Sequence, residues 1–182
     1  MQYYKFVHPE GNYGVIYHNG INVDPKPFKP EGNCKKGGLY FAKEDILAYC
    51  YIGPMVYRVK PIGKVYDDHN LFQKYKANSI DIEFVGNWHE NPEVIKELIK
   101  DGAKPNIDNF CVFKFACLYN NQPLVKYLLD EYKVDINKYP DVISHLVYMR
   151  NSSLLNLLSE YGLSYDHDQV RFIQNLMSRF DL

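Results

Sequence analysis

The sequence predicts an α+β protein. A small, β-rich and mostly antiparallel N-terminal domain covers residues 1–85, and a short solenoid of helices covers residues 86–182. Three observations carry this reading. Prolines, glycines and Asn or Asp residues crowd the stretch from Pro9 to Gly38, where they punctuate short strands and loops. Apolar pairs then recur at helical spacing through the second half. Those pairs keep a nearly constant offset: Leu98 to Leu128 is 30 positions, Leu128 to Leu157 is 29, and Ala116 to Val147 is 31.

Composition sets the outer limits. With 182 residues, 46% hydrophobic and 24% charged, the chain is too apolar to remain disordered. Its 21 basic and 22 acidic side chains nearly cancel, which argues against nucleic acid or an anionic membrane as the main partner. No apolar run approaches the ~20 residues that span a bilayer. The opening Met1-Gln2-Tyr3-Tyr4-Lys5 lacks a cleavable apolar segment, and Cys34, Cys50, Cys111 and Cys117 lack metal-type pairing. Both features lead to the expectation of a reducing, cytoplasmic setting.

Taken in order, the strand candidates are Tyr3–Val7, Val15–Tyr17, Gly38–Phe41, Met55–Val59 and Ile80–Val85. In the last, Ile80, Ile82 and Phe84 alternate with Asp81, Glu83 and Val85, the period of a strand with one buried face. Lys43–Tyr51 reads as the one helix of this half. Beyond it, Val94, Ile95, Leu98 and Ile99 form one helical stripe. Leu124, Val125, Leu128 and Leu129 form the next, and Leu154, Leu155, Leu157 and Leu158 the third. Asn91 before Pro92 supplies an N-cap, and Gly102 and Gly162 sit where helices stop. Trp88 is expected to pack at the junction of the two halves, and Asp168–Phe180 to close the last unit.

A fixed period of this size marks units that bury their apolar faces only by stacking. The competing reading is an ordinary helical bundle with coincident spacing. The segment Glu93-Val94-Ile95-Lys96-Glu97-Leu98-Ile99-Lys100-Asp101-Gly102-Ala103-Lys104-Pro105-Asn106 resembles the end of an ankyrin repeat. Leu124–Asn137 and Asn156–Ser164 resemble it more loosely. The family's first-helix signature falls on Cys111–Ala116 and Val142–Val147, where Phe113, Ala116 and His145 fit and the Thr-Pro pair is lost. The resemblance implies a protein-binding face at the hairpin tips and first helices. Those residues are Asp108, Asn109, Lys114 and Tyr119, then Lys138, Tyr139, Asp141 and His145.

The front half resembles the N-terminal portion of ankyrin proteins of giant DNA viruses. The similarity lies in Tyr17–Pro25, Gly37-Gly38-Leu39-Tyr40-Phe41 and Lys76-Ala77-Asn78. It implies a host or viral protein partner and a place in the host cytoplasm, or in the virion. A second similarity is to ADP-ribosyltransferases of the His-Tyr-Glu type, through Gly37–Ala42, Ala48–Cys50 and Val56–Val59. There Tyr40 would take the nicotinamide-stacking place and His8 the ribose-binding place. The pattern departs where catalysis needs it: Pro9 follows His8, and Ser79-Ile80 stands where the catalytic Glu belongs. Without that carboxylate a developing oxocarbenium ion goes unstabilised.

The remaining constellations point to no chemistry. Asp67-Asp68-His69, His89-Glu90 and Asp166-His167-Asp168 lack the spaced His or Cys pair of a metal site, and no Gly-x-Ser-x-Gly motif occurs. The sequence thus leads to a non-enzymatic protein-interaction module without cofactor or metal, with an inactive NAD-binding head as the alternative. A third reading is a structural protein whose solenoid packs against copies of itself.

Overall fold

In the computed structural model, which describes residues 2–30, 35–69 and 71–164, the turn-rich first half forms two antiparallel sheets. Strands β1 (Tyr3–Val7), β4 (Met55–Ile62), β7 (Ser79–Asn87) and β2 (Gly20–Val23) lie side by side in that order in the first sheet. The second has the order β3 (Leu39–Phe41), β6 (Gln73–Ala77) and β5 (Tyr66–His69). A bridge between Tyr4 and Ala42 joins β1 to the end of β3. Leu39, Phe41, Ala77, Tyr57, Val59, Ile80 and Ile82 make the core shared by the two sheets.

The helices follow as α1 (Glu93–Lys100), α2 (Ile107–Leu118), α3 (Gln122–Tyr132), α4 (Pro140–Tyr148) and α5 (Ser152–Glu160). The chain divides into two compact units, Met1–Val112 and Phe113–Leu182, so the division falls within α2 and later than the change of periodicity at 85/86. In the first unit α1 is tied to the sheet. Arg58 on β4 reaches Glu83 at 3.0 Å and Glu97 at 2.9 Å. Trp88 is fully buried there, with its Nε1–H donating to Gly53 O at 3.1 Å and its ring edge-on to Phe6.

Several elements differ from the sequence expectation for identifiable reasons. Val15–Tyr17 is not a strand, because Tyr13 and Gly14, both at positive φ, turn Val15 back onto Asn12. The expected helix Lys43–Tyr51 is a shorter, tighter 3₁₀ helix, Ile46–Ile52. In α2, Asp108, Asn109 and Phe110 are left-handed, so the right-handed helix runs from Cys111. The expected closing helix Asp168–Phe180 and the Asp166-His167-Asp168 cluster lie outside the described residues.

The helix ends repeat one design. Asn121 and Asn151, 30 positions apart, are N-caps whose Oδ1 accepts from Leu124 N and Leu154 N, whereas Asn91, another 30 positions earlier, accepts from Glu93 N and stands one place before Pro92, the N-cap of α1. At the C-termini, Ala103, Asn121, Asn151 and Leu163 donate their amides five residues back, to Leu98, Ala116, Leu146 and Leu158. The residue before each, Gly102, Asn120, Arg150 or Gly162, is left-handed, as this type of helix stop requires. Gly102 and Gly162 therefore end helices as expected. The bonding pattern also corrects the register of the repeat: Ala116 corresponds to Leu146, not Val147, and Leu128 to Leu158, not Leu157. Leu158 is fully buried and Leu157 only half-buried, which agrees.

Helix α3 ends differently, on the exposed Lys133 at φ 50 and ψ 46, whose amide donates to Leu129 O. A side chain in the left-handed region costs about 1–2 kcal/mol that glycine avoids, less the extra freedom glycine has when unfolded. Lys133→Gly is expected to stabilise the protein by about 1 kcal/mol in urea unfolding.

Candidate functional site

The first unit contains a cavity of about 220 Å³ bordered by β1, β3, β6 and the loops before β2 and β3. Strand alternation directs Lys5 to its wall. Tyr3, Lys5 and Val7 share the face of β1 that looks toward the second sheet, while Tyr4 and Phe6 fill the other face. Lys5 is 8% exposed; its Nζ donates to Tyr40 O at 2.8 Å and lies 4.6 Å from the centre of the Tyr17 ring. Burial alone lowers its affinity for a proton, to a pKa of about 7. Among the described residues no carboxylate stands within ion-pair distance of it.

Strand β6 brings two more buried lysines. Lys74 and Lys76 alternate with Tyr75, and both ammonium groups lie 5.0 Å from the centre of the Tyr40 ring. Lys76 Nζ donates to Lys29 O and Lys35 O, at 2.6 and 3.0 Å, which fastens the loop before β3. Burial lowers its pKa, opposed by the charges of Asp68 and Asp24. Tyr40 itself donates its hydroxyl to Lys35 O. The one acid of the wall among the described residues, Asp24, accepts from the amides of Lys26 and Gly38, so both oxygens serve the loop. Lys26, Lys35 and Lys36 add positive charge to the wall.

The sequence-derived nucleotide candidates separate. Tyr40 lines this cavity, whereas His8 is exposed and is not part of its wall. The His8 ring accepts from Glu10 N, and its own amide donates to Asn12 Oδ1, so it belongs to the tight turn after β1. Glu83, on the same strand as the expected catalytic position, is exposed and paired with Arg58. Lys5 and Lys74 were not singled out by sequence reasoning, although Lys5 between flanking aromatic and aliphatic residues of both parities is a visible signal.

The protein-binding candidates are distributed as follows. Asp108 and Asn109 are exposed in the first unit. In the second unit Tyr119, Lys138, Asp141 and His145 are exposed, and Lys114 is half-buried. Tyr139 needs correction as a contact residue, because it is 2% exposed and packs on Phe113 with ring centres 5.4 Å apart. Lys114 Nζ sits 5.9 Å from the same ring.

Two features of the second unit were missed. Exposed apolar side chains occupy equivalent positions of the two hairpins: Leu118 corresponds to Tyr148, and Tyr119 to Met149. A ladder of side-chain hydrogen bonds also joins α3 to α5 at an offset of 31. Asn151 bonds Asn120, Gln122 bonds Ser153, and Tyr161 OH donates to Asp130 at 2.6 Å. Among the described residues no group of three or more His, Cys, Asp or Glu side chains is placed to hold a metal, and no helix is long and apolar enough to cross a membrane. Cys50 and Cys111 bring their sulfurs to 3.7 Å as buried thiols. Comparison of the chain with family models, with curated proteins and with solved structures finds no match.

Proposed function

We propose that the chain is a non-enzymatic binding protein whose helical hairpins act as a short ankyrin-like solenoid and dock a protein partner of host or viral origin. The observation that carries this reading is the repeated hairpin. Asn121 and Asn151 cap equivalent helices, the same backbone bonds close both turns, and the ladder at an offset of 31 couples one hairpin to the next. Side chains at equivalent positions of stacked hairpins then fall in rows. Two such rows are apolar and exposed, Leu118 with Tyr148 at 37% and 70%, and Tyr119 with Met149 at 44% and 60%. Aromatic and methionine side chains are the types enriched at the centres of protein interfaces, because they bury much area for few frozen torsions. Tyr119, Lys114 and His145 border the same ends of α2 and α4.

The test is affinity capture with the full chain from extracts of host cells, followed by titration of the captured protein. The paired change Tyr148→Ser and Met149→Ser is expected to weaken binding tenfold or more, a loss of about 1.4 kcal/mol or greater. Ile16→Ser, at a 74% exposed apolar position of the first unit, serves as the control and should leave binding unchanged. Capture of nothing, or a captured protein indifferent to the paired change, overturns the reading.

A further inference from the structure

The cavity of the first unit has the composition of a ligand site, and its chemistry is independent of the hairpin surface. Its wall joins tyrosine rings to ammonium groups, and among the described residues that line it Lys5, Lys26, Lys35 and Lys36 outnumber the one acid, Asp24. Asp24 is already engaged by two backbone amides. Lys5 is the distinctive member. An ammonium has three donors, and Lys5 gives one of them to Tyr40 O. A charge this deeply buried is costly unless paired, and the described residues supply no acid to pair it. The Tyr17 ring stands beside it and Tyr40 lines the same cavity, offering flat apolar surface to a planar ligand.

We propose that this cavity binds a small single-ring aromatic anion, its acidic group taken by the Lys5 ammonium and its ring set against Tyr17 and Tyr40. Size narrows the ligand further. Sites for drug-sized molecules run from roughly 300 to 1,000 Å³. A cavity of about 220 Å³ matches one ring and its acidic substituent. The shared chemistry is a ring bearing a carboxylate or a phosphate, drawn in by the lysines at the mouth. Lys74, 5.0 Å from the centre of the Tyr40 ring, is the second cation beside the bound acid.

Isothermal titration of the full chain with benzoate and with phenyl phosphate tests the proposal. Benzyl alcohol serves as the neutral ring and inorganic phosphate as the ringless anion. One or both aromatic anions should bind saturably at one site per chain, more tightly than either control. Lys5→Met should weaken that binding about tenfold or more, as loss of a buried charge partner does. Lys74→Met, read in the same way, should weaken it by a smaller factor, and thermal unfolding of both variants verifies that they are folded. The proposal fails if neither aromatic anion binds the unaltered chain. It also fails if binding survives both lysine changes, or if benzyl alcohol binds as tightly as the anions.

Discussion

Replacing Lys5 with methionine is expected to stabilise the protein by about 3 kcal/mol at pH 7, and by only about 1 kcal/mol at pH 9. The methionine keeps the length of the side chain and removes its charge. Folded, Lys5 holds its proton only below a pKa of about 7, because it is 8% exposed and burial is the sole cause of the shift. Unfolded, it holds the proton up to its ordinary 10.5. Between those values the unfolded chain carries the extra proton, so stability rises with pH across the window and the deficit is fully developed below pH 7. The deficit is about 4 kcal/mol at pH 7 and about 2 kcal/mol at pH 9. Loss of the bond from Nζ to Tyr40 O offsets about 1 kcal/mol of the gain at either pH. The neighbouring Tyr17 and Tyr57 phenols are pushed up by burial and stay neutral throughout. Urea unfolding followed by the fluorescence of Trp88, the single tryptophan, reports on this unit. A variant no more stable than the original, or one with the same slope against pH, refutes the assignment. If the variant is more stable and yet loses the aromatic anion, Lys5 is a binding group held at the expense of stability.

The same residue shows where the sequence could and could not be read. Strand β1 was legible because Tyr3, Tyr4, Phe6 and Val7 are strand-forming residues, and its ends agree with the structure. Its lysine was not legible as a buried group, since alternation assigns a lysine to the wet face by default. Strand β6 was lost for this reason: Lys74 and Lys76 suggest a solvated edge, yet both are buried around the Tyr40 ring. Strand β2 was hidden because Ile21 and Val23, on its outward face, are exposed on an edge strand, while the polar Asn22 is buried and bonds back to His18 O and Gly20 O. In the helical half the stripes were plain, since Leu124, Leu128, Leu154 and Leu158 are fully buried. Their register was less so. Counting apolar positions gave offsets of 29 to 31, and the capping asparagines Asn121 and Asn151, with the backbone bonds that stop the helices before them, resolve the spacing to 30. A cap is fixed by its bond to a backbone amide, whereas a leucine one place along a stripe can substitute for its neighbour.

Gly53→Ala is expected to cost about 3 kcal/mol, although alanine is the smallest change available at that position. The backbone of Gly53 is extended, with φ at 170, so conformation alone does not demand glycine. The obstacle is space. A methyl group there would stand 2.4 Å from Val7 O and 2.5 Å from His8 N, both backbone atoms at the end of β1. Neither can retreat freely, because β1 is paired with β4 through Val7 and Met55 at one end and Tyr3 and Val59 at the other. Displacing Gly53 instead would pull its carbonyl from the Trp88 indole and disturb the bond from Trp88 N to Pro54 O. Trp88→Phe probes the same junction from the other side, removing the indole donor and part of a fully buried ring for about 2 kcal/mol. Because both changes act on one contact, the double variant should lose less than the sum of the two. Urea unfolding monitored by far-ultraviolet circular dichroism measures all three, since Trp88→Phe removes the fluorophore. A Gly53→Ala chain as stable as the original, or a double variant whose losses add in full, would show that this close approach is not what holds the end of β1 to the Trp88 segment.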